Sequence, residues 1–204
     1  MDIYLIRHGQ STGNGQGCFL GWSDHPLTDL GKAQAQAAAG RLASLGAVPI
    51  YSSDLPRAME TAGIIAQRLG RTDVVTDARW REMNCGVLSG QPWEELSRDE
   101  ELSRRLAEDQ FGTEMPGGES CVQMVERVRS AFDEICRGDA QAVVIVTHAG
   151  PICAVLAHCL LIPPERFWAL TSEHGGITRL SITDGWISVR SVNETAHLPE
   201  AIHG

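Results

Sequence analysis

The sequence predicts a three-layer α/β/α sandwich, a mostly parallel sheet with an antiparallel edge strand. Strand-like and helix-like segments alternate along nearly the whole chain, a pattern that builds parallel sheets through helical crossovers. Ile3-Tyr4-Leu5-Ile6 and Ala142-Val143-Val144-Ile145-Val146 are unbroken apolar runs, as strands covered on both faces require. Near the end of the chain, Asp184-Gly185 separates two strand-like segments and signals a tight antiparallel hairpin.

The first strand runs into Arg7-His8-Gly9 and a loop rich in glycine (Gly9, Gly13, Gly15, Gly17, Gly21). A helix begins near Thr28, where Thr28-Asp29 offers capping side chains. Leu30, Ala33, Ala37, Leu42 and Leu45 recur at helical spacing, and Gly46 stops it. Val48-Pro49-Ile50-Tyr51 reads as the second strand, followed by Ser52-Ser53-Asp54 and a helix with Leu55, Met59, Ala62, Ile65 and Leu69 on one face. A third strand, 73–76, leads to Arg79-Trp80-Arg81-Glu82. Residues 86–118 break the rhythm: Gly86, Gly90 and Pro92 precede a charged helical segment, 93–109, which gives way to Met115-Pro116-Gly117-Gly118. This stretch reads as a small helical cap over one end of the sheet, inserted in a single domain of residues 1–204. A helix over 120–136 leads to the strand ending at Thr147. Gly150-Pro151 then opens a helix that stops before Pro163-Pro164. Strands over 177–183 and 186–192 complete the hairpin.

A chain of 204 residues with 43% hydrophobic and 21% charged residues can bury a sizeable core. A formal net charge of −9 argues against a nucleic-acid or anionic-membrane surface, though a few cations converging in a cleft could still hold an anionic substrate. No stretch is apolar for long enough to span a membrane, and the N-terminus is strand-like rather than a signal peptide. Cys18, Cys85, Cys121, Cys136, Cys153 and Cys159 show no CxxC pairing, as expected for reduced thiols in a cytoplasmic protein.

In folds of this kind ligands bind beyond the carboxyl ends of the strands, where the strand order reverses. Two strand ends that fall there carry histidine, Arg7-His8-Gly9 and Thr147-His148-Ala149-Gly150, so the sequence predicts one pocket around two imidazoles. A neutral imidazole has a free lone pair near physiological pH and can accept a phosphoryl group. The neighbouring arginine offers a planar fork of permanent charge to phosphate oxygens, and glycine lets the backbone approach closely.

Arg7-His8-Gly9-Gln10-Ser11-Thr12-Gly13-Asn14 resembles the signature of the histidine phosphatase superfamily, which includes cofactor-dependent phosphoglycerate mutases and many phosphomonoesterases. Further segments agree in order. Gly21-Trp22-Ser23-Asp24-His25-Pro26-Leu27-Thr28, with Gly31 and Gln34, is similar to the family's loop into the first helix. Ser52-Ser53-Asp54-Leu55-Pro56-Arg57-Ala58-Met59-Glu60-Thr61-Ala62 is similar to its second arginine motif. Arg81-Glu82-Met83-Asn84-Cys85-Gly86 stands where the family has its acid, and Pro116-Gly117-Gly118-Glu119-Ser120 and the His148 segment complete the set.

The resemblance implies a phosphoglycerate mutase-like fold in which His8 is the nucleophile and passes through a phosphohistidine. It implies Arg7, Arg57 and a cationic His148 around the phosphate oxygens, with Asn14, Ser11 and the Ala149 backbone N–H as neutral donors. Gly21 and Trp22 lie in the loop that contacts substrate in relatives. Glu82 is implied as proton donor to the leaving oxygen and then as base toward water; a carboxyl beside phosphate oxygens is favoured in its protonated form. Charge on three equatorial oxygens must be stabilised in phosphoryl transfer, and here side chains take the place of magnesium, with no metal and no cofactor expected. Plainer readings stand beside these. Glu82 could be a surface residue paired with Arg79 or Arg81, Arg57 a solvated residue in a first helical turn, and His148 a satisfied core histidine.

Three departures from the family pattern stand out. Leu20 replaces a small polar residue common in relatives, Gln10 a common Glu, and Ala149 a common Gly. His25, His158, His174, His197 and His203 show no metal-ligand spacing, although His25 and His174 could line the mouth of the pocket. Phosphoglycerate mutases of this family are longer, with an Arg-His-Tyr-Gly run after the acid. This chain has Met83-Asn84-Cys85-Gly86 there and a short cap with Arg98, Arg104 and Arg105 as its cations, which favours a phosphatase acting on a small phosphorylated metabolite. Phosphoglycerate mutase is the alternative, and a non-catalytic phosphate-binding protein on the same scaffold a third reading. Within phosphatases the chain resembles α-ribazole phosphatases and, nearly as much, broad-specificity phosphatases, and Asn193-Glu194-Thr195-Ala196-His197-Leu198, similar to the tail of the broad group, tilts the reading slightly toward the latter. The edge strand of the final hairpin could mediate a homodimer.

Overall fold

Residues of β1 (Asp2–Arg7) alternate between two apolar layers, and this alternation organises the molecule. The computed structural model describes residues 1–198, so His203 and the last six residues of the expected domain lie outside it. Ile3 and Leu5 pack with Val143 and Ile145 of β4 (Ala142–Thr147) against α5 (Cys121–Cys136) and α6 (Ala149–Leu160). Tyr4, Ile6, Val144 and Val146 point the other way, toward α1 (Asp29–Leu42) and α2 (Pro56–Arg68). Both strands are covered on both faces, which explains their unbroken apolar sequences.

With β2 (Ile50–Ser52), β3 (Val75–Thr76), β5 (Ile177–Thr183) and β6 (Trp186–Glu194), the sheet has the order β3-β2-β4-β1-β5-β6. The first four strands run parallel, and β5 turns antiparallel to both β1 and β6. Asp184 and Gly185 both take positive φ, 53° and 77°, as the tightest hairpin turn requires. β3 is shorter than the 73–76 expected, and Val75 is 50% exposed: at the sheet's edge only two residues reach β2.

Local signals set the helix ends. The Thr28 side chain accepts the Gly31 N–H at 3.0 Å to cap α1. α1 closes earlier than expected, in a 3₁₀ turn (Ala43–Leu45), before Gly46. Ser120 and Gln123 form a reciprocal capping box at the start of α5. The segment expected to be one helix over 93–109 is two, α3 (Glu94–Arg98) and α4 (Glu100–Glu108), because the Asp99 carboxylate accepts the Leu102 N–H and restarts the helix. A 3₁₀ segment (Pro164–Ala169) follows α6 and brings Phe167 and Trp168 beside Phe111, an element without a strong sequence signal.

Candidate active site

The β1–β4 register determines where the two histidines emerge. Arg7 is paired with Thr147 at the last step of the ladder, and the His8 N–H donates to the Thr147 carbonyl at 2.9 Å. His8 and His148 thus leave adjacent strands at one level, their ring centroids 4.9 Å apart, both fully buried.

Partners fix the His8 tautomer. Nδ1 lies 2.7 Å from the Gly9 carbonyl, which can only accept, so Nδ1 carries the proton. Nε2 lies 3.3 Å from the Arg57 Nε–H, which can only donate, so Nε2 keeps its lone pair. Burial first, then the fields of His148, Arg57, Arg7 and His174, hold the imidazole well below its ordinary value of 6.5. Burial, followed by Arg57, Arg7 and Arg127, does the same to His148. His148 Nε2 is 2.8 Å from the Ser53 hydroxyl, which itself accepts the Leu55 N–H at 3.2 Å, while His148 Nδ1 is buried with no hydrogen-bond partner.

Arg57 sits in the first turn of α2, where the helix dipole opposes a cation. It is completely buried rather than solvated, its guanidinium donating to the carbonyls of Ser23 at 3.0 Å and Gly21 at 2.8 Å. Arg7 donates one terminal N–H to the Ser172 carbonyl and leaves Nε buried without a partner. Burial lowers the pKa of both arginines, and Glu82 is the largest influence holding each of them up.

Glu82 is not paired with its neighbours: Arg79 engages Asp77 and Glu134, and Arg81 engages Asp54. The Glu82 carboxylate instead accepts the Met83 N–H at 3.0 Å and the Gly150 N–H at 3.2 Å. Its backbone is held as firmly, since the Glu82 carbonyl accepts from Trp22 Nε1 at 2.7 Å and from Arg127 at 2.9 Å. Arg127 also bridges the Arg79 and Arg81 carbonyls and forms a two-pronged ion pair with Glu119. A Cβ on Gly150 would meet the Glu82 Oε1 at 2.3 Å, so glycine there is what lets the carboxylate reach the start of α6.

The expected substrate-binding residues divide into two groups. Asn14 lines the cavity; its Oδ1 accepts both the Ser11 N–H and hydroxyl at 2.8 Å, which leaves the NH₂ group to donate elsewhere. Ser11 is buried behind it, and its hydroxyl serves Asn14. Ala149 contributes one of the first N–H groups of α6, which have no acceptor within the helix. Gly21 holds Arg57 through its carbonyl, and Trp22 holds Glu82 while stacking under Arg81 at 4.5 Å, so both position other residues. His174 stands 5.6 Å from the His8 ring, Leu20 lines the cavity, and His25 contacts the Thr12 hydroxyl at 3.2 Å. Ser53, Arg127 and the Ser172 carbonyl were not distinguished as site groups by the sequence. Ser53 stands inside a quoted motif, but Arg127 has the spacing of an ordinary helix surface.

Arg7, Asn14 and Glu82 open into a cavity of about 530 Å³ whose other walls include Phe19, Leu20, Leu96, Leu106 and Met115. Among the described residues no group of three His, Cys, Asp or Glu side chains could hold a metal ion, and no helix is long and apolar enough to cross a membrane.

The chain is 34% identical, over 206 aligned residues, to a Yersinia enterocolitica protein named probable phosphoglycerate mutase GpmB, covering 97% of this chain and 95% of that one. The solved mycobacterial glucosyl-3-phosphoglycerate phosphatase with bound VO₃ superposes with a TM-score of 0.81 at 32% identity, over 94% of this chain and 98% of that one. The α-ribazole phosphatase of Shigella flexneri has the same fold, with a TM-score of 0.86 at 24% identity over 96% and 98% of the two chains. The description of branch 1 of the histidine phosphatase superfamily matches residues 3–195, and the chain belongs to that family.

Proposed function

We propose that this chain is a cytoplasmic phosphomonoesterase that hydrolyses a small organic phosphate through a phosphohistidine on His8, with Glu82 as proton donor and no metal. The observation that carries the reading is a deprotonated, buried His8 Nε2 beside two buried guanidinium groups and a second imidazole, with Arg7 Nε and His148 Nδ1 lacking partners. Buried polar nitrogens without partners are costly, and three anionic oxygens would engage them. The Nε2 lone pair attacks phosphorus in line, and the bond to the ester oxygen breaks as that oxygen takes the Glu82 proton. Water then gives a proton to the Glu82 carboxylate and attacks phosphorus, the P–N bond breaks, and phosphate leaves. Bound phosphate favours the cationic form of His148, opposing the effect of burial and of the arginines. All six cysteines are free, in keeping with a reducing compartment.

Rapid quenching with ³²P-labelled ester tests the reading. The native protein should trap label on His8 and His8→Ala should trap none; turnover by His8→Ala above a few per cent, or an EDTA-sensitive rate restored by metal, would refute it. The relationship to a protein named phosphoglycerate mutase favours a second reading, transfer back to phosphoglycerate. Against it, Arg98 and Arg104 pair with Glu95, Glu101 and Glu108 on the exposed side of the cap, and no cap arginine lines the cavity. Interconversion of 2- and 3-phosphoglycerate faster than phosphate release would establish the second reading.

A further inference from the structure

The space beyond the reacting atoms has a chemistry of its own. Among the described residues its charged lining side chains are Arg7 and Glu82, both at the phosphate end of the reading above. The wall also includes Phe19, Leu20, Leu96 and Leu106, together with Trp93 and Trp168. Trp93 is 62% exposed and Trp168 45% exposed, so two indoles face a concave surface with much of their area uncovered. A volume near 530 Å³ is well above what one phosphoryl group fills and lies within the range of small-molecule sites. Cys85 and Cys121, also in the wall, add no anion, because burial pushes their thiols up to about 12 and about 11. A carboxylate on the leaving group would be desolvated there with no cation among the described lining residues beyond Arg7, which serves the phosphate, and that is strongly unfavourable.

We infer that the physiological ester carries an uncharged, largely apolar, ring-sized alcohol, seated between the Leu20 loop and the cap, in place of the short anionic alcohol of a phosphoglycerate. This rests on the phosphatase reading for the orientation of the ester and extends it to the leaving group. The ring displaces water from Leu96, Leu106 and the tryptophan faces, while the phosphoryl group occupies the arginine end. Selectivity of this kind grows with the apolar area covered and falls when a charge enters the wall.

Alkyl esters test this without differences in leaving-group acidity taking over. Turnover of 2-naphthylmethyl phosphate, ethyl phosphate and 3-phosphoglycerate is compared, and binding of 2-naphthylmethylphosphonate and methylphosphonate is read by calorimetry. The naphthylmethyl ester should exceed ethyl phosphate in kcat/KM by roughly thirtyfold or more, with 3-phosphoglycerate poorest, and the phosphonates should rank alike. Leu96→Arg should cut that ratio at least about tenfold and raise the relative rate on 3-phosphoglycerate. Trp93→Ala, at an exposed site that does not endanger folding, should lower the ratio about threefold. A ratio near one, a preference for 3-phosphoglycerate, or a ratio indifferent to both variants would overturn the inference. Tight naphthylmethylphosphonate binding without turnover of any ester would sustain it and sink the phosphatase reading instead.

Discussion

Gly150→Ala separates the role proposed for Glu82, that of proton donor, from the integrity of the fold. The added Cβ would lie 2.3 Å from Glu82 Oε1 and 2.9 Å from Met124 Sδ, both ends of flexible side chains, so the backbone need not move. To regain ordinary contact the carboxylate must retreat by about 1 Å, and a displacement of that size in a reacting group can cost about a hundredfold. This falls within the roughly 10²–10⁴ that a positioned proton donor supplies. Stability should change little, because alanine favours a helix over glycine by up to about 1 kcal/mol, which offsets the crowding. Ethyl phosphate, whose leaving oxygen needs a proton, should therefore turn over about a hundredfold more slowly. The stopped-flow burst from 4-nitrophenyl phosphate, whose leaving group departs without one, should slow by less than about fivefold. Ethyl phosphate turnover within about threefold of the parent, at unchanged Tm, would show that Glu82 need not rest on the start of α6.

Other perturbations read other parts of the site. Arg57→Lys keeps the charge but cannot serve His8, Gly21 and Ser23 together, so kcat/KM should fall by about a hundredfold, and recovery to near-native rate would refute the need for a fork. Arg127→Ala leaves the carbonyls of Arg79 and Arg81 without their side-chain donor and removes the ion pair to Glu119 and one of the two donors to the Glu82 carbonyl; it should cost about 2–3 kcal/mol in urea unfolding and lower kcat more than it raises KM. Burial depresses both His8 and His148 below 6.5, so the unfolded chain takes up their protons first on acidification. The stability they contribute is present above about pH 6.5 and lost as pH falls through their lower folded values. Tm should accordingly drop from pH 7 to 5, less steeply in His8→Asn, and an identical slope in the variant would count against the depressed values.

The sheet was readable because its central strands carry apolar runs that only burial on two faces explains, and because Asp184-Gly185 admits the positive φ of the turn. The site was readable in so far as chemistry and chain position coincided. His8 and His148 end strands whose register brings them together, and Arg57 opens a helix beside them. What the sequence concealed is support from a distance. Arg127 has the spacing of a solvated helix face, and its service to Glu82 depends on how α5 crosses the segment 79–82, which no local pattern encodes. Trp22 stands in the expected loop, yet its indole N–H turns to the Glu82 carbonyl. The break at Asp99 escaped the helical pattern because both halves are charged, and only the aspartate's capping bond distinguishes them.

The buried charges of the site account for its architecture. Arg7 and Arg57 enter the interior with Glu82 as their principal counter-charge, and their N–H groups are met by the carbonyls of Ser172, Gly21 and Ser23. Carbonyl dipoles satisfy the hydrogen bonds of a guanidinium without cancelling its charge, so a positive field persists in a poorly screened place. Burial, with that field added to it, keeps His8 and His148 neutral. A neutral His8 is what the proposed nucleophilic attack requires, while the arginine field is what the proposed phosphate dianion needs. Carboxylates in place of those carbonyls would neutralise the guanidinium groups, raise the histidine pKa values and remove the attraction for phosphate. The loop carbonyls therefore hold the arginines in place and leave their charge available.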